Sequence, residues 1–357
     1  MAKTIWVNKN DLNDMMVDEA ALPVLSDGMV RLRIESFAVT ANNVTYAVAG
    51  DKMGYWNFFP APVGYGIVPM WGHAVIEHSN NAELKAGERV YGYLPMAEYV
   101  DVLPAKITHG GFFDAAPHRL PMSPIYNQYS RLAADPEHEP AQENQRMIFA
   151  PLFKTGFLIE DFMRRNDWFG AQSLIMTSAS SKTSLGLASC AKNLSPGIKR
   201  IGLTSPANMA FTLATGLYDE VVAYGDIDDL PITTSVIVDF AGNSSVLHKV
   251  HNLYASNLKY SCLVGATHVG ERSGGVRDIT GPTPILFFAP THAVSAIKDA
   301  GIDMFNAAVA IQWRSFLDAT ADTMTIDIRS GINCASVAFK DILTGKAAAS
   351  VGIVVQP

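Results

Sequence analysis

Between residues 147 and 290 the sequence alternates short apolar runs with amphipathic stretches, and this alternation limits the fold more than any other feature. Each apolar run spans about four to eight residues, as in strands buried on both faces of a sheet. Helices between such strands cover the two faces. The segment therefore predicts a doubly wound parallel six-stranded sheet, with strands in AQSLIMTSA, KRIGLTSP, YDEVVAYGD, TSVIVDFAG, LKYSCLVGATHVG and TPILFFAP.

A doubly wound sheet binds its ligand beyond the carboxyl ends of its strands. In this chain those ends carry small and hydroxyl-bearing residues, which leave room for a ligand and offer hydrogen bonds. The candidate binding residues are Ser178, Ser180, Ser181, Lys182 and Thr183 after the first strand, Ser205 and Asn208 after the second, Ala241 and Gly242 after the fourth, Gly265 and Thr267 after the fifth, and Phe288 and Ala289 after the sixth.

The first of these ends, SASSKTS at residues 178–184, has two interpretations. At a helix N-terminus the backbone N–H groups, the hydroxyls and the Lys182 ammonium can bind a phosphate. Alternatively, Ser180 or Ser181 caps the helix and Lys182 lies in solvent. The G-x-x-x-x-G-K-[ST] motif is absent, which argues against ATP or GTP hydrolysis. The position after the first strand favours phosphate binding.

The end of the second strand bears on the choice of nucleotide. A carboxylate there would bind the ribose hydroxyls of NAD, but LTSPAN contains no acid. Ser205 and Asn208 can hydrogen-bond a phosphate, so the sequence favours NADP. The other interpretation is an ordinary turn built on Pro206.

The regions on either side differ from this central segment. Up to about residue 105, stretches such as GMVRLRIESFAVT alternate apolar and polar residues and predict short strands in a barrel or sandwich. Residues 104–146 are rich in Pro, His and aromatic residues, and we predict a surface excursion with one short helix, acting as a functional loop, a lid or a dimer arm. The predicted domains are 1–150, 151–315 and 316–357, the last returning to the first.

Charge and composition exclude several functions. The net charge is -7 and no Lys/Arg-rich run occurs, so we expect no nucleic-acid partner. Neither an apolar signal core nor a membrane-spanning run is present, and we expect a cytoplasmic protein. The cysteines, Cys190, Cys262 and Cys334, are far apart and predict free thiols. The histidines are scattered and G-x-S-x-G is absent, so we expect neither a metal site nor a serine hydrolase.

Several segments resemble the medium-chain dehydrogenase/reductase superfamily, over nearly the whole chain. They are VTANNVTYAVAG, VPMWGHAVIEHS, LKAGERVYGYLP, YDEVVAYGD, VDFAGN and AASVGIVVQ. The resemblance implies an α/β fold that joins a GroES-like β-barrel catalytic domain to a Rossmann-type sheet. The Cys and His-Glu of zinc-dependent members have no counterparts near Ala41 and Val68, which implies a zinc-free, quinone-oxidoreductase-like protein.

Within the superfamily, TANNVTYAVAGDKMGYWNFFPA, VYGYLPM, PLFKTGFLIEDF and SASSKTSLGLA resemble a bacterial group catalogued as a domain of unknown function. The glycine-rich loop of the superfamily, GASGGVG, is replaced by residues 178–184. Cofactor binding must then depend on hydroxyls and Lys182, or has been lost.

The resemblance also implies individual site residues. Tyr46 stands in the place of an active-site tyrosine, as hydrogen-bond donor or proton source, with help from Asn43. Thr155 would approach the nicotinamide, and Phe288 and Ala289 would contact its carboxamide through backbone groups. Trp56, Tyr93 and Tyr126 are expected to bind substrate, with plain core packing as the alternative for the aromatic residues.

The expected function is a zinc-independent, NADP(H)-dependent oxidoreductase. It would transfer hydride to an activated alkene or carbonyl of a small apolar or aromatic substrate. The alternatives are a non-redox protein, a lyase or a hydrolase of the same fold that binds a different diphosphate ligand, such as an acyl-CoA. Relatives imply a homodimer that pairs the sixth strands.

Overall fold

The computed structural model describes residues 1–264 and 279–357, which divide into two compact units. The first unit comprises residues 1–148 and 325–357, and the second comprises residues 149–324. The divisions therefore fall after Ile148 and Met324, whereas the sequence places them after residues 150 and 315.

The first unit is built mainly on antiparallel strands. Its strands, numbered along the chain, are β1 (Ala2–Asn8), β2 (Asp11–Ala20), β3 (Val30–Val39), β4 (Tyr65–Gly66), β5 (Pro69–Ser79), β6 (Arg89–Pro95), β7 (Tyr99–Val102), β8 (Pro104–Ala105), β9 (Gly111–Asp114), β10 (Gln128–Arg131), β17 (Thr325–Ser330) and β18 (Val351–Gln356). Its helices are α1 (Ala41–Val48), α2 (Gly50–Met53), α9 (Asn333–Leu343) and the start of α3 (Glu143–Arg165). In the described residues these strands form a three-stranded sheet, β2-β1-β4, and a nine-stranded sheet, β17-β18-β3-β5-β6-β10-β9-β8 with β7 beside β3.

The second unit is a parallel sheet with helices between its strands. The strands are β11 (Ser173–Met176), β12 (Lys199–Thr204), β13 (Glu220–Ala223), β14 (Ser235–Asp239), β15 (Leu258–Leu263) and β16 (Ile285–Leu286). The helices are the remainder of α3, α4 (Lys182–Leu194), α5 (Met209–Ala214), α6 (Ser244–Tyr254), α7 (Ala289–Ala300) and α8 (Ile302–Thr320). Over the described part of the chain the sheet has six strands in the order β13-β12-β11-β14-β15-β16, all paired in parallel. The predicted α/β fold class is confirmed.

The apolar runs that predicted this sheet form its core. Leu174, Ile175 and Met176 of β11 are wholly buried, as strands covered on both faces require. Ile175 packs in one apolar cluster with Ile201 of β12 and Ile237 of β14. Because β11 lies at the centre of the sheet, the loop that follows it lies between the ends of β12 and β14.

The segment at residues 104–146, predicted as a surface excursion with one short helix, instead extends the sheet of the first unit. β10 pairs with β6, β9 with β10 and β8 with β9. Arg119 is wholly buried within this segment. Its Nε donates to Asn127 at 3.0 Å, and its Nη1 donates to Asp114 and to the Tyr129 hydroxyl, both at 3.0 Å. A buried guanidinium requires ionic and hydrogen-bond partners. The bonds from Arg119 to these three side chains hold the segment in its folded arrangement.

The pattern PLFKTGFLIEDFMRRN predicts a helix that begins at Pro151, but helix α3 begins at Glu143. Proline suits the first turn of a helix, so PLFKTGFLIEDF reads as an N-terminus. In the structure Pro151 lies inside the helix, and the Thr155 hydroxyl donates to the Pro151 carbonyl at 3.2 Å.

A left-handed turn connects α3 to β11. Asp167, Trp168 and Phe169 have φ values of 48°, 50° and 55°, and Gly170 completes the turn at 73°. Three consecutive non-glycine residues in this region are strained. Two contacts offset the strain: the Trp168 indole donates to the Ser195 hydroxyl at 3.1 Å, and Phe169 stacks on Tyr260 with ring centres 4.3 Å apart.

Candidate functional site

The loop after β11 caps helix α4. Ser181 is the N-cap residue, and its Oγ accepts a hydrogen bond from the Ser184 N–H at 3.3 Å. The capping interpretation of SASSKTS therefore holds for Ser181. Ser180 is mostly buried, and its Oγ lies 3.5 Å from the Thr204 hydroxyl of β12. Phosphate binding by Ser180, Ser181 and Thr183 stays a prediction.

Lys182 is the first residue of α4 and is partly buried. Burial lowers the pKa of its ammonium group to about 8. The residue is therefore mostly protonated at neutral pH, beside the partial positive charge of a helix N-terminus. An ammonium in this position favours an anionic ligand, since an anion would offset both positive charges.

A hydrogen-bonded junction joins the ends of β11 and β14. The wholly buried Thr177 hydroxyl donates to the Asp239 carboxylate at 2.6 Å and accepts from the N–H groups of Phe240 and Ala241 at 2.9 and 3.0 Å. The same carboxylate oxygen accepts from the N–H groups of Ala241 and Gly242. The predicted binding residues Ala241 and Gly242 thus use their N–H groups to close this junction.

The remaining predicted cofactor residues occupy varied positions. Ser205 is the N-cap residue of a short 3-10 turn after β12 and Asn208 is the last residue of that turn; both are partly exposed. Phe288 is the N-cap residue of α7 and Ala289 is its first residue. Thr155 uses its hydroxyl within α3, on the Pro151 carbonyl. Gly265 and Thr267 lie outside the described residues.

In the first unit, Tyr46 on α1 is a buried phenol held by two N–H donors. Its oxygen accepts from the Asn42 side chain at 2.6 Å and from the Trp71 indole at 3.2 Å. Burial raises the pKa of this phenol well above its usual value, so the hydroxyl is neutral at physiological pH. Because both lone pairs accept hydrogen bonds, the O–H hydrogen is the part of the group left for a further partner.

Asn43, predicted to assist Tyr46, is engaged elsewhere. Its Oδ1 accepts from the Thr40 N–H at 2.6 Å, and its Nδ2 donates to the Pro69 carbonyl at 2.8 Å. These bonds fasten the start of α1 to β5. Asn42 is the residue that contacts Tyr46, because a spacing of four places both side chains on one face of the helix.

Aromatic rings surround Tyr46 and form what we call the phenol cluster: Tyr46, Tyr55, Phe58, Trp71, Tyr93 and Tyr126. The ring centre of Tyr46 lies 4.6 Å from that of Tyr55 and 5.4 Å from that of Tyr93, and Tyr93 and Tyr126 are 4.9 Å apart. Tyr126 and Trp71 are partly exposed and the others are buried. The structure therefore brings together Tyr46, Tyr93 and Tyr126 among the predicted residues.

Trp56, also predicted to bind substrate, has a packing role. Its indole lies against Gly50 and Gly66, at either of which a Cβ would collide with the ring. The Lys9 ammonium lies 5.9 Å from its ring centre. Sequence reasoning missed Tyr55, Trp71 and Asn42. The i, i+4 spacing of Asn42 and Tyr46 was the available signal for Asn42.

Next to the phenol cluster, one face of the β5–β6 ladder carries buried polar atoms that have no hydrogen bond of good geometry to any residue that the structure describes. Trp71 pairs with Tyr93 and His73 with Tyr91 across the two strands, so the four side chains share that face. Among the described residues, both ring nitrogens of His73, the hydroxyls of Tyr91 and Tyr93, and Nε and Nη1 of Arg146 have no hydrogen bond of good geometry. Burial lowers the pKa of His73 to about 3, which keeps the ring neutral.

Neither a metal-binding group nor a membrane-crossing helix emerges from the part of the chain that the structure describes. No group of three or more His, Cys, Asp or Glu side chains that could hold a metal ion occurs among residues 1–264 and 279–357. None of the helices described there is both long and apolar enough to cross a bilayer. Cys190 and Cys262 are buried thiols and Cys334 is partly exposed.

Solved structures with the same fold include quinone oxidoreductases. A quinone oxidoreductase of Pseudomonas syringae pv. Tomato has 15% sequence identity and a TM-score of 0.59, with 100% of each chain covered. CurA of Vibrio vulnificus in complex with NADPH has 14% identity and a TM-score of 0.56, covering 99% of this chain and 98% of its own. The quinone oxidoreductase of Thermus thermophilus, also solved with NADPH, has 13% identity and a TM-score of 0.55, covering 99% of this chain and 100% of its own.

Sequence similarity gives the family. No curated protein matches the sequence significantly. Residues 37–348 match the family described as protein of unknown function (DUF2855), which is most of the chain. The protein therefore belongs to the DUF2855 family, and its fold is that of the quinone-oxidoreductase-like medium-chain dehydrogenases/reductases.

Proposed function

We propose that this protein is a zinc-independent, NADPH-dependent oxidoreductase that reduces an activated alkene or carbonyl of a small apolar or aromatic substrate. The observation that carries the proposal is the neutral, buried Tyr46 phenol, whose oxygen is fixed by Asn42 and Trp71. The fold supports it, because solved structures of this fold include a quinone oxidoreductase and CurA, each in complex with NADPH.

Tyr46 suits the demands of such a reduction. NADPH, when bound, supplies a hydride, and negative charge then develops on the oxygen conjugated to the carbon that receives it. A prepositioned neutral donor in a dry site stabilises that charge and can transfer its proton. The rings of Tyr55 and Tyr93 around Tyr46 exclude water, and Tyr126 and Trp71 form the partly exposed side of the cluster.

The donor set after β11 suits the diphosphate of the cofactor. Lys182 contributes a positive charge, and Ser180, Ser181 and Thr183 contribute hydroxyls near the N-terminus of α4. We propose NADP over NAD because no carboxylate follows β12, where Ser205 and Asn208 are partly exposed. The same groups fit the diphosphate of an acyl-CoA, so this ligand is the competing candidate.

The first experiment is a thermal-shift and fluorescence screen with NADPH, NADH, ATP and acyl-CoA esters. The proposal expects NADPH to raise the melting temperature and to show blue-shifted emission, with NADH weaker. A shift with acyl-CoA esters and none with NADPH would overturn it in favour of a non-redox role.

The role of Tyr46 is tested by Tyr46→Phe with a panel of enones, quinones and aldehydes as substrates. We expect kcat to fall about 100-fold, since a general acid contributes roughly that much, with little change in the affinity for NADPH. Tyr99→Phe is the matched control, because the Tyr99 hydroxyl contacts Glu77 and not the phenol cluster. Full turnover by Tyr46→Phe would remove Tyr46 from the mechanism.

We also propose that the protein is a homodimer formed through β16. This strand ends the sheet of the second unit in the described residues, and its Ile285 and Leu286 are 51% and 59% exposed. An apolar edge strand of this kind is a site for strand pairing between chains. Light scattering should give a dimer for the wild type and a monomer for Leu286→Lys at the same concentration; a monomeric wild type contradicts the proposal.

A further inference from the structure

Ser178, in the loop after β11, holds a backbone conformation that side chains rarely adopt. Its φ is 48°, in the left-handed region that glycine occupies without strain. When SASSKTS is set against the glycine-rich loop GASGGVG, Ser178 falls on the first glycine. The chain therefore keeps a left-handed turn at this position without the residue that adopts it most easily.

The Tyr224 phenol, directly after β13, supports this turn. Its hydroxyl oxygen accepts a hydrogen bond from the Ser178 N–H at 2.9 Å. The phenol is partly buried, and burial raises its pKa, so the hydroxyl stays neutral. This hydrogen bond fixes the orientation of the peptide group that joins Thr177 to Ser178. The hydrogen bond is lost if that peptide plane rotates.

Tyr218, just before β13, holds the other side of the same loop. Its hydroxyl donates to the Ala179 carbonyl at 2.6 Å and is 2.9 Å from the Ser184 hydroxyl. Gly202 of β12 provides the necessary space, because a Cβ there would lie 2.8 Å from both the Ala179 Cβ and the Tyr218 ring. Two phenols flanking one strand therefore fasten both sides of the turn.

We infer that Tyr224 is a positioning residue for the phosphate-binding loop, and that its hydrogen bond to Ser178 supplies the conformational preference a glycine would otherwise supply. The inference rests on the proposed function, in which the ligand of this loop is the diphosphate of NADPH. A loop held in place before binding loses less conformational entropy when the ligand arrives. Loss of the Tyr224 hydroxyl therefore weakens binding even though the phosphate-binding groups are unchanged.

The test is a cycle of Tyr224→Phe, Ser178→Gly and the double variant, with NADPH affinity measured by fluorescence titration. We expect Tyr224→Phe to weaken affinity about tenfold, as for the loss of one well-placed hydrogen bond. In the Ser178→Gly background the same substitution should weaken affinity by no more than about threefold relative to Ser178→Gly alone, because glycine adopts the turn without support. Tyr254→Phe is the matched control: this phenol donates to the Pro231 carbonyl, and its loss should leave affinity unchanged.

Two affinity results would overturn the inference. Unchanged affinity in Tyr224→Phe would show that the bond does not position the loop. An equal loss of affinity on Tyr224→Phe in the wild type and in the Ser178→Gly background would show that the Tyr224 hydroxyl does not act through the turn at Ser178.

The proposed function can fail independently of Tyr224. If the wild type does not bind NADPH, urea unfolding of the same four proteins decides the question. A Ser178→Gly substitution that is more stabilising in the Tyr224→Phe background than in the wild type supports the role of Tyr224, and additive effects overturn it.

Discussion

The two regions that carry the candidate chemistry treat their polar groups in opposite ways. In the second unit, the Thr177 hydroxyl and the Asp239 carboxylate share hydrogen bonds with one another and with the backbone that follows β14. In the first unit, the β5–β6 face buries His73, Tyr91 and Tyr93 with polar atoms that have no hydrogen bond of good geometry to any described residue.

The comparison shows which region has its conformation fixed by hydrogen bonds among its own residues. Unsatisfied buried polar atoms lower stability, whereas a closed network fixes one conformation. The segments that follow β11 and β14 are therefore set before any ligand binds. The β5–β6 face keeps groups that stability alone would replace by apolar ones, and it adjoins the phenol cluster that we propose for catalysis.

The strongest challenge to this comparison is Thr177→Val, which keeps the shape of the side chain and removes the hydroxyl. We expect the free energy of unfolding to fall by about 3 kcal/mol, because a buried carboxylate and buried N–H groups lose a partner. Urea unfolding measures the change, and Thr177→Ser should cost about 1 kcal/mol or less. A valine variant as stable as the serine variant would show that the junction is not a closed network.

A second comparison uses two buried tyrosines of the first unit. The Tyr129 hydroxyl donates to the Tyr93 carbonyl and accepts from Arg119, so Tyr129→Phe should lower the free energy of unfolding by about 2 kcal/mol. The Tyr91 hydroxyl has no such partner among the described residues, so Tyr91→Phe should leave stability unchanged or raise it. Equal losses in the two variants would mean that Tyr91 is hydrogen-bonded in solution.

The third prediction concerns His73 and pH. The folded-state pKa of His73 is about 3, below the unfolded value near 6.5. This residue therefore does not lower the free energy of unfolding above pH 6.5, and it lowers that free energy progressively as the pH falls toward 3. Between pH 7 and 5 this residue should account for about 2 kcal/mol of lost stability.

His73→Leu should remove that component, leaving a flatter dependence of the unfolding free energy on pH. The ionisable groups around the ring, Glu143, Arg146, Arg89 and His138, are present in both proteins. Parallel pH profiles for wild type and variant would mean that His73 does not stay neutral in the folded state.

The smallest expected effect is the pH dependence of NADPH binding at Lys182. Because the pKa of this group is about 8, its charge is lost above that pH, and affinity should weaken by about fivefold to tenfold between pH 7 and 9. Lys182→Met should bind more weakly at pH 7 and show no such dependence. Lys192→Met, at the other end of α4, is the control and should behave as the wild type.

The sequence predicted the second unit well for a physical reason. Its strands centre on buried apolar runs, as at residues 174–176 of β11, and local composition is enough to identify a strand that is buried on both faces. The start of α3 was placed late because Pro151 resembles an N-terminal residue, although the helix continues through it. Local signals thus locate elements better than they locate their ends.

The candidate site was predictable only in part. Tyr46 was found through resemblance, but its partner is Asn42, since Asn43 is turned toward Thr40 and Pro69. The unpartnered atoms of His73 depend on side chains from distant parts of the chain, which no local pattern reveals. The same is true of the bond between Ser178 and Tyr224.

Arg119 has a consequence for how this family can vary. Its charge is neutralised and its N–H groups are bonded by residues of its own segment, so that segment folds as a unit or not at all. Insertions and deletions should therefore be tolerated at the turn around the exposed Leu120. They should be rare between Asp114 and Arg119, where a change of register would leave the buried guanidinium without its carboxylate partner. A region that reads as a dispensable loop should thus have little freedom to change its length between Asp114 and Arg119.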